Sequence, residues 1–552
     1  MQKTLLMILL IVLPTSVLAS AEAHRDEPTR VFIFAGQSNM VGSDSKVADI
    51  QRFPPYAGLE QAQSDVEFAY CIGRENKMRS DGWQALAPVD GVVGPELSFA
   101  RKVAQRVDAP IAIIKCAAGG THLGGDWNPD TPSGFEMYPL ALDLIRSSLE
   151  ELGRRDVDYR IEGFMWHQGE NDMFEESYMR DYGKNLANFV ACVRRDLKSP
   201  RLRFYIGELC TKTIWGMDLR PRMHAISLGQ RQVTDHDELC DYVRTSQVGV
   251  EIGGGVGLHY HYGTLGQLEH GTNYADAYLA TIGCADEPSA PLGKWPYPMG
   301  GPIKLFVLAG HRNMEGERAF VQELESSSRH RALVQDNDHI PFRYSLGGGY
   351  KVSNSWEALG PRGAYGTFGP ELSFGRTIRA KIGDPIAILK FTHSGSQIID
   401  WTPEGSEASS RNLFPAFVTS VRSAIADLES KGHTVELAGV FYHIGENDMS
   451  FGPYRRSAPE RIRSLVKATR ESLELPQLKW FLSQQLPTDH ERVNEIDVTA
   501  ELVQLADSDE HVIHIPVFDL PEQEKILVLD TEAVVLLGDR IANAYLALLS
   551  PR

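Results

Sequence analysis

Val31-Phe-Ile-Phe-Ala-Gly-Gln-Ser-Asn-Met40 and Leu305-Phe-Val-Leu-Ala-Gly-His-Arg-Asn-Met314 are two versions of one segment, 274 residues apart. Gly94-Pro-Glu-Leu-Ser-Phe99 returns unchanged from Gly369 to Phe374, and Asp126-Trp127 returns as Asp400-Trp401. Trp166-His-Gln-Gly-Glu-Asn-Asp-Met173 returns as Tyr442-His-Ile-Gly-Glu-Asn-Asp-Met449. A nearly constant offset over four blocks makes the chain a tandem duplication, so a fold read from one half holds for the other. Val31 to Ala35 is the short apolar run that a parallel strand covered on both faces needs, and Pro110 to Cys116 and Phe164 to His167 resemble it. Glu96 to Val107 has apolar residues at helical spacing, with Arg101 and Lys102 outward. Strand and helix in alternation predict an α/β fold, a parallel sheet with helices on both faces. Ligands of such sheets sit beyond the carboxyl ends of the strands, which is where the polar motifs fall.

The 552 residues exceed one ordinary core, and the duplication divides them. Pro288, Pro291, Pro296, Pro298 and Pro302, with several glycines, give residues 284–302 the composition of a linker. The domains expected are 29–283 and 303–552. Ahead of them, Lys3, the apolar run Leu5 to Leu13 and the small residues near Ala19 and Ala21 read as a signal peptide over residues 1–23. The run falls short of the roughly 20 residues that span a bilayer, so the expectation is an exported chain, secreted or periplasmic, with no membrane attachment after cleavage. A net charge of -18 opposes a nucleic-acid partner, which needs a basic face. The six cysteines lie in the first half and could form disulfides in an exported chain, and their spacing has no CxxC pair to hold structural zinc.

Ser38 follows directly on the first strand, where a nucleophile would be exposed at the sheet edge, although most serines in such places cap a helix or a turn. Ala117-Ala-Gly-Gly-Thr121 follows another strand, and its glycines would let backbone N–H groups approach an oxyanion. Gln168 follows a third and could donate its amide to the same oxyanion. Gly257-Leu-His259-Tyr-His261 precedes a helix expected from about Leu265 to Ala280, so a histidine there can reach over the sheet edge as general base for a serine hydroxyl. His261 competes with His259 for that role, and the pair also fits a metal-binding HxH.

Together these motifs resemble the sialate O-acetylesterase-like branch of the SGNH hydrolases, which includes the carbohydrate esterase family 6 acetylxylan esterases. The resemblance covers essentially all of each half. It implies a flavodoxin-like three-layer α/β/α fold and hydrolysis of acetyl esters on sugars without metal or organic cofactor. It places the nucleophile at Ser38, the oxyanion donors at the Ser38 and Gly120 N–H groups and the Gln168 side chain, and the base at His259. The family's acid stands three residues before its histidine, where this chain has Val256. Glu170, Asp172 or Glu251 could replace it, a backbone carbonyl could orient the imidazole, or serine and histidine could act as a dyad.

In the second half Ser38 becomes Arg312, Gln168 becomes Ile444 and Gly119 becomes Ser394, while Gly395 still matches Gly120. Aligning Lys525 to Glu532 with the histidine loop puts Val528 in place of His259 and Lys525 in place of the acid. Without nucleophile, amide donor and base, this copy reads as degenerate and inactive, serving as packing, as a wall of the cleft or as a glycan binder. The chain as a whole reads as a carbohydrate acetylesterase acting on an acetylated carbohydrate. The rival is an inactive tandem protein that binds glycans or a protein partner, and a lipase or thioesterase is a third reading.

Overall fold

The structure is a computed structural model that describes residues 27–75, 77–210, 212–214, 217–248, 260–406, 411–450, 452–485, 498–520 and 527–549. The signal-peptide segment 1–23, Glu251, Val256, His259 and Lys525 lie outside the described residues.

The first half builds one sheet from parallel strands β1 (Thr29–Gly36), β2 (Gln63–Ile72), β3 (Ile111–Ala117), β4 (Tyr159–His167), β5 (Phe204–Gly207) and β6 (Cys240–Val243), in the order β6-β5-β4-β1-β3-β2. Without β2, which carries two short antiparallel strands on its far side, the order is the flavodoxin sequence 2-1-3-4-5. Alternation along β1 sorts its side chains between the faces. Phe32 and Phe34 pack under helices α1 (Glu96–Ala104) and α5 (Gly263–Thr281). Val31, Ile33 and Ala35 pack with α2 (Met137–Arg154), α3 (Tyr182–Asp196) and α4 (Arg220–His236). The uninterrupted apolar strands are therefore explained by a sheet covered on both sides, the three-layer arrangement that the resemblance implies.

The second half repeats this with β7 (Gly301–Gly310), β8 (Asn337–Leu346), β9 (Ile386–Thr392), β10 (His433–His443), β11 (Trp480–Gln484) and β12 (Val512–Pro516), in the order β12-β11-β10-β7-β9-β8. The register slip between β1 and β4 at Val31/Phe32 recurs between β7 and β10 at Leu305/Phe306. Among the described residues no helix is long and apolar enough to cross a membrane. All six cysteines are unpaired thiols, five of them buried, so the disulfides that an exported chain could form are absent.

The Gly-Pro-Glu-Leu-Ser-Phe motif owes its repetition to a buried ion pair. Lys115 of β3 donates to the Glu96 carboxylate at 2.7 Å and to the Val41 carbonyl at 3.2 Å. Lys390 makes the same contacts with Glu371 at 2.8 Å and the Glu315 carbonyl at 3.1 Å. Burial pulls the Lys115 ammonium below its ordinary range and the Glu96 charge opposes that. A β-carbon on Gly94 would stand 2.2 Å from both the Glu96 carboxylate and the Lys115 ammonium, so a larger residue there would have to displace the pair. The pair fixes the end of the turn that follows β1, which places it beneath the site without entering it.

The Pro/Gly-rich segment is laid against the second sheet instead of running free. Trp295 donates to His433 and the Tyr297 hydroxyl donates to the Ile386 carbonyl. The two halves meet along α5, whose Asn273 accepts hydrogen bonds from the hydroxyls of Tyr350 at 2.8 Å and Tyr365 at 2.7 Å. This explains why α5 is buried nearly all round and lacks an outward polar face.

Candidate active site

Ser38 opens a single helical turn, Ser38–Val41, at the carboxyl end of β1. The backbone there tolerates little but glycine. A β-carbon on Gly36, at φ +153°, would stand 2.0 Å from the His167 carbonyl, and one on Gly42, at φ +104°, would stand 2.2 Å from that of Val93. Ser38 is thereby held at the sheet edge, 6% exposed.

Nε2 of His261 lies 3.0 Å from Ser38 Oγ, and its Nδ1 lies 2.6 Å from Asp44 Oδ2. The histidine is fixed from both sides by Asn39, next to the serine. Asn39 donates to the Tyr260 carbonyl and accepts from the Tyr262 N–H, each at 3.3 Å. Asp44 sits in the turn after the helical turn, itself in the left-handed region at φ +61°. That turn is pinned by Ser45, which donates to the Gly42 carbonyl and accepts from the Val93 N–H at 2.7 Å. Serine, imidazole and carboxylate thus form one line with hydrogen-bond spacing throughout, the arrangement in which an imidazole can take a serine proton while a carboxylate fixes its tautomer.

Such a constellation is chemistry without a substrate class until its relatives are considered. The chain matches the family model described as carbohydrate esterase, sialic acid-specific acetylesterase over residues 28–280 and again over 302–547. The protein belongs to that acetylesterase family. A probable carbohydrate esterase of Arabidopsis thaliana is 24% identical over 280 residues, 46% of this chain and 92% of the relative. Among solved structures, NanS is 16% identical over 46% of this chain and 98% of its own, with a TM-score of 0.37. A carbohydrate acetylesterase from Xanthomonas citri is 14% identical over 45% of this chain and 56% of its own, with a TM-score of 0.33.

The acetylesterase domain's other expected residues fall into two groups. Gly120, at φ +75°, lies in the turn after β3, and a β-carbon on Gly119 would stand 3.5 Å from that of Ser38. Among the described residues neither the Ser38 nor the Gly120 N–H has an acceptor, so both are free to receive an oxyanion. Gln168 is a correction. It is fully buried, and its amide donates to the Thr121 carbonyl at 3.0 Å, to Asp172 at 2.5 Å and to Gln37 at 3.2 Å, which leaves nothing for a ligand. Asn171 is the amide that lies beside the glycine turn. Its oxygen accepts from Gln37, and its amide nitrogen lies 3.9 Å from where a β-carbon of Gly120 would be, beside the Arg74 guanidinium.

The two described carboxylates considered as replacement acids are also corrected. Glu170 accepts from Asn39 at 2.6 Å and from His167 at 3.2 Å. Burial works to raise its pKa, but the His167 ring and these hydrogen bonds outweigh it and hold the carboxyl below its usual range. Asp172 accepts from Gln168 and from the Leu123 and Gly124 N–H groups, and burial lifts it above the usual range against them. Neither hydrogen-bonds His261. Both brace the turn after β4, and the carboxylate that meets His261 is that of Asp44.

The second acetylesterase-family domain fills the equivalent positions with other groups. Arg312 is buried and forms a two-point ion pair with Glu317, at 2.8 and 2.6 Å. Its own N–H, the counterpart of the Ser38 donor, is bound by Glu446 at 3.2 Å. Asn313 donates to the Leu527 carbonyl and accepts from the Leu529 N–H, so Val528 stands where His261 stands and not at the place of His259. Arg318 holds the position of Asp44, and Ile444 is buried. Gly395 keeps the place of Gly120, but a β-carbon there would meet the Ser246 carbonyl oxygen of the first domain at 1.6 Å.

Proposed function

We propose that the chain is an exported carbohydrate O-acetylesterase whose first domain removes acetyl groups from glycans through Ser38, His261 and Asp44, and whose second domain is inactive. The observation that carries this reading is the pair of contacts made by one imidazole, 3.0 Å to Ser38 Oγ and 2.6 Å to Asp44. His261 Nε2 takes the Ser38 proton as Oγ attacks the acetyl carbonyl. The Ser38 and Gly120 N–H groups and the Asn171 amide hold the resulting oxyanion. The intermediate collapses, the C–O bond to the sugar breaks, and His261 returns the proton to the departing hydroxyl. Water then attacks acetyl-Ser38 with the same base, and acetate leaves.

Asp44 also weakens the rival reading of a non-catalytic binder, because that reading drew its support from the valine at the family's acid position. The glycan substrate is inferred from the family, whose members carry the description of carbohydrate esterases. Inactivity of the second domain follows from four losses at one place: Arg312, Val528, Arg318 and an occupied oxyanion donor. Release of acetate from acetylated xylan, acetylated sialic acid and p-nitrophenyl acetate, compared between the wild-type chain and Ser38→Ala, tests the reading. Turnover lost with the serine supports it, and a folded wild-type chain inert on all three overturns it.

A further inference from the structure

The place in the second domain that corresponds to the first domain's site is covered from the first domain, by the turn after β6. The Ser246 carbonyl lies against Gly395 so closely that no β-carbon fits, and Gln247 lies against Gly347, where a β-carbon would be 2.7 Å from its own. Gln247 also donates to the Tyr365 hydroxyl at 3.2 Å. Arg411 of the second domain donates to the Gly395 carbonyl at 3.1 Å and reaches the Cys210 sulfur at 4.0 Å. Thr245, Ser246, Gln247 and Val248 are all buried, between their own domain and the second.

The same turn is wired to the catalytic histidine. Glu208 accepts from the Thr245 N–H at 3.2 Å and the Ser246 N–H at 3.0 Å, which makes the turn rigid. The Thr245 hydroxyl donates to the Glu208 carbonyl and lies 2.9 Å from the hydroxyl of Tyr262. Tyr262 follows His261, and its N–H is the one that Asn39 receives. A continuous chain of contacts therefore runs from Gly395 through Ser246, Thr245 and Tyr262 to His261.

We propose that the second domain is a positioning domain: its vestigial pocket clamps the Thr245–Val248 turn and so holds His261 in line with Ser38. This rests on the esterase reading of Ser38 and His261, and it assigns the inactive copy a role in the active one's chemistry. Small displacements of a base cost rate more than affinity, with about 1 Å worth on the order of 10²-fold. Coupling along such a chain is established only by perturbing its far end.

The test is Gly395→Val in the full chain, with Tyr365→Phe as a milder second variant; neither residue belongs to the catalytic site. Hydrolysis of p-nitrophenyl acetate is measured and divided by the serines that a fluorophosphonate labels at end point, so unfolded protein does not enter kcat. The expected result for Gly395→Val is a kcat per labelled serine lower by about tenfold or more, slower labelling and a KM changed less than about twofold. Tyr365→Phe should show the same pattern in a smaller degree. Wild-type kcat per labelled serine in Gly395→Val overturns the proposal, and if that variant does not fold, wild-type kcat in Tyr365→Phe overturns it. A wild-type chain with neither turnover nor labelling would instead sink the esterase reading, and this proposal with it.

Discussion

Val528 stands in the second domain where His261 stands in the first, each bracketed by an asparagine that grips the residues on either side. Asn39 holds Tyr260 and Tyr262, and Asn313 holds Leu527 and Leu529. The bracket survives where the chemistry does not, so it belongs to the scaffold, and it identifies which residue of the loop faces the nucleophile.

It follows that His261→Ala should lower kcat for p-nitrophenyl acetate by about 10³-fold or more, the scale on which removing a base from a serine site acts. His259→Ala should stay within a few fold of the wild type. Equal losses in the two variants would contradict the assignment.

Asp44→Asn keeps the shape of the acid and removes its charge. The corresponding change in the serine proteases costs about 10⁴ in kcat. The Asp44 side chain is 75% exposed, so water screens part of its effect, and a loss of about 10- to 10³-fold is expected. Steady-state kinetics beside a circular dichroism spectrum would separate this from misfolding, and a fully active Asp44→Asn enzyme would reduce the site to a dyad.

Breaking the buried Lys115–Glu96 pair should destabilise the first domain by about 3–5 kcal/mol in Lys115→Met, because an unpaired carboxylate is left inside. The double variant Lys115→Met with Glu96→Leu should recover most of that. Denaturant melts of the three proteins check it, and a double variant weaker than either single one would contradict the account.

The second domain should lose stability as pH rises. Burial lifts the Glu446 carboxyl to about 8, although the Asn313 N–H and the Arg312 charge oppose it, and burial lifts Asp448 to about 7. Between the ordinary carboxylate range and these values the folded chain holds protons that the unfolded chain has released. Their contribution is full below the ordinary carboxylate range and is lost progressively as pH climbs from there through about 8. Thermal melts from pH 5 to pH 9 should show this decline, and Glu446→Gln should flatten it. An unchanged slope in that variant would assign the effect elsewhere.

The duplication, the parallel sheet and the place of Ser38 in the fold were legible because each writes itself into local sequence: a repeated offset, apolar runs, a polar turn after a strand. What holds His261 against Ser38 is not local. It is a pair of hydrogen bonds with Asn39, one given and one received, more than two hundred residues earlier in the chain, and the shorter loop of the second half displaced the alignment by two positions. Asp44 escaped because it comes from the nucleophile's own turn instead of from the histidine loop; the glycine at 42 and the aspartate two residues on were the signal available. Gln168 was misread because a position after a strand does not say which way a side chain points, and this one points down into Asp172 and Thr121.

The most direct test of the central claim is to treat the chain with a fluorophosphonate and map the adduct by peptide mass spectrometry, beside His261→Ala. The account predicts one adduct, on Ser38, formed far more slowly when His261 is absent, and none on the second domain. An adduct on another residue, or labelling of Ser38 at the same rate without His261, would contradict it.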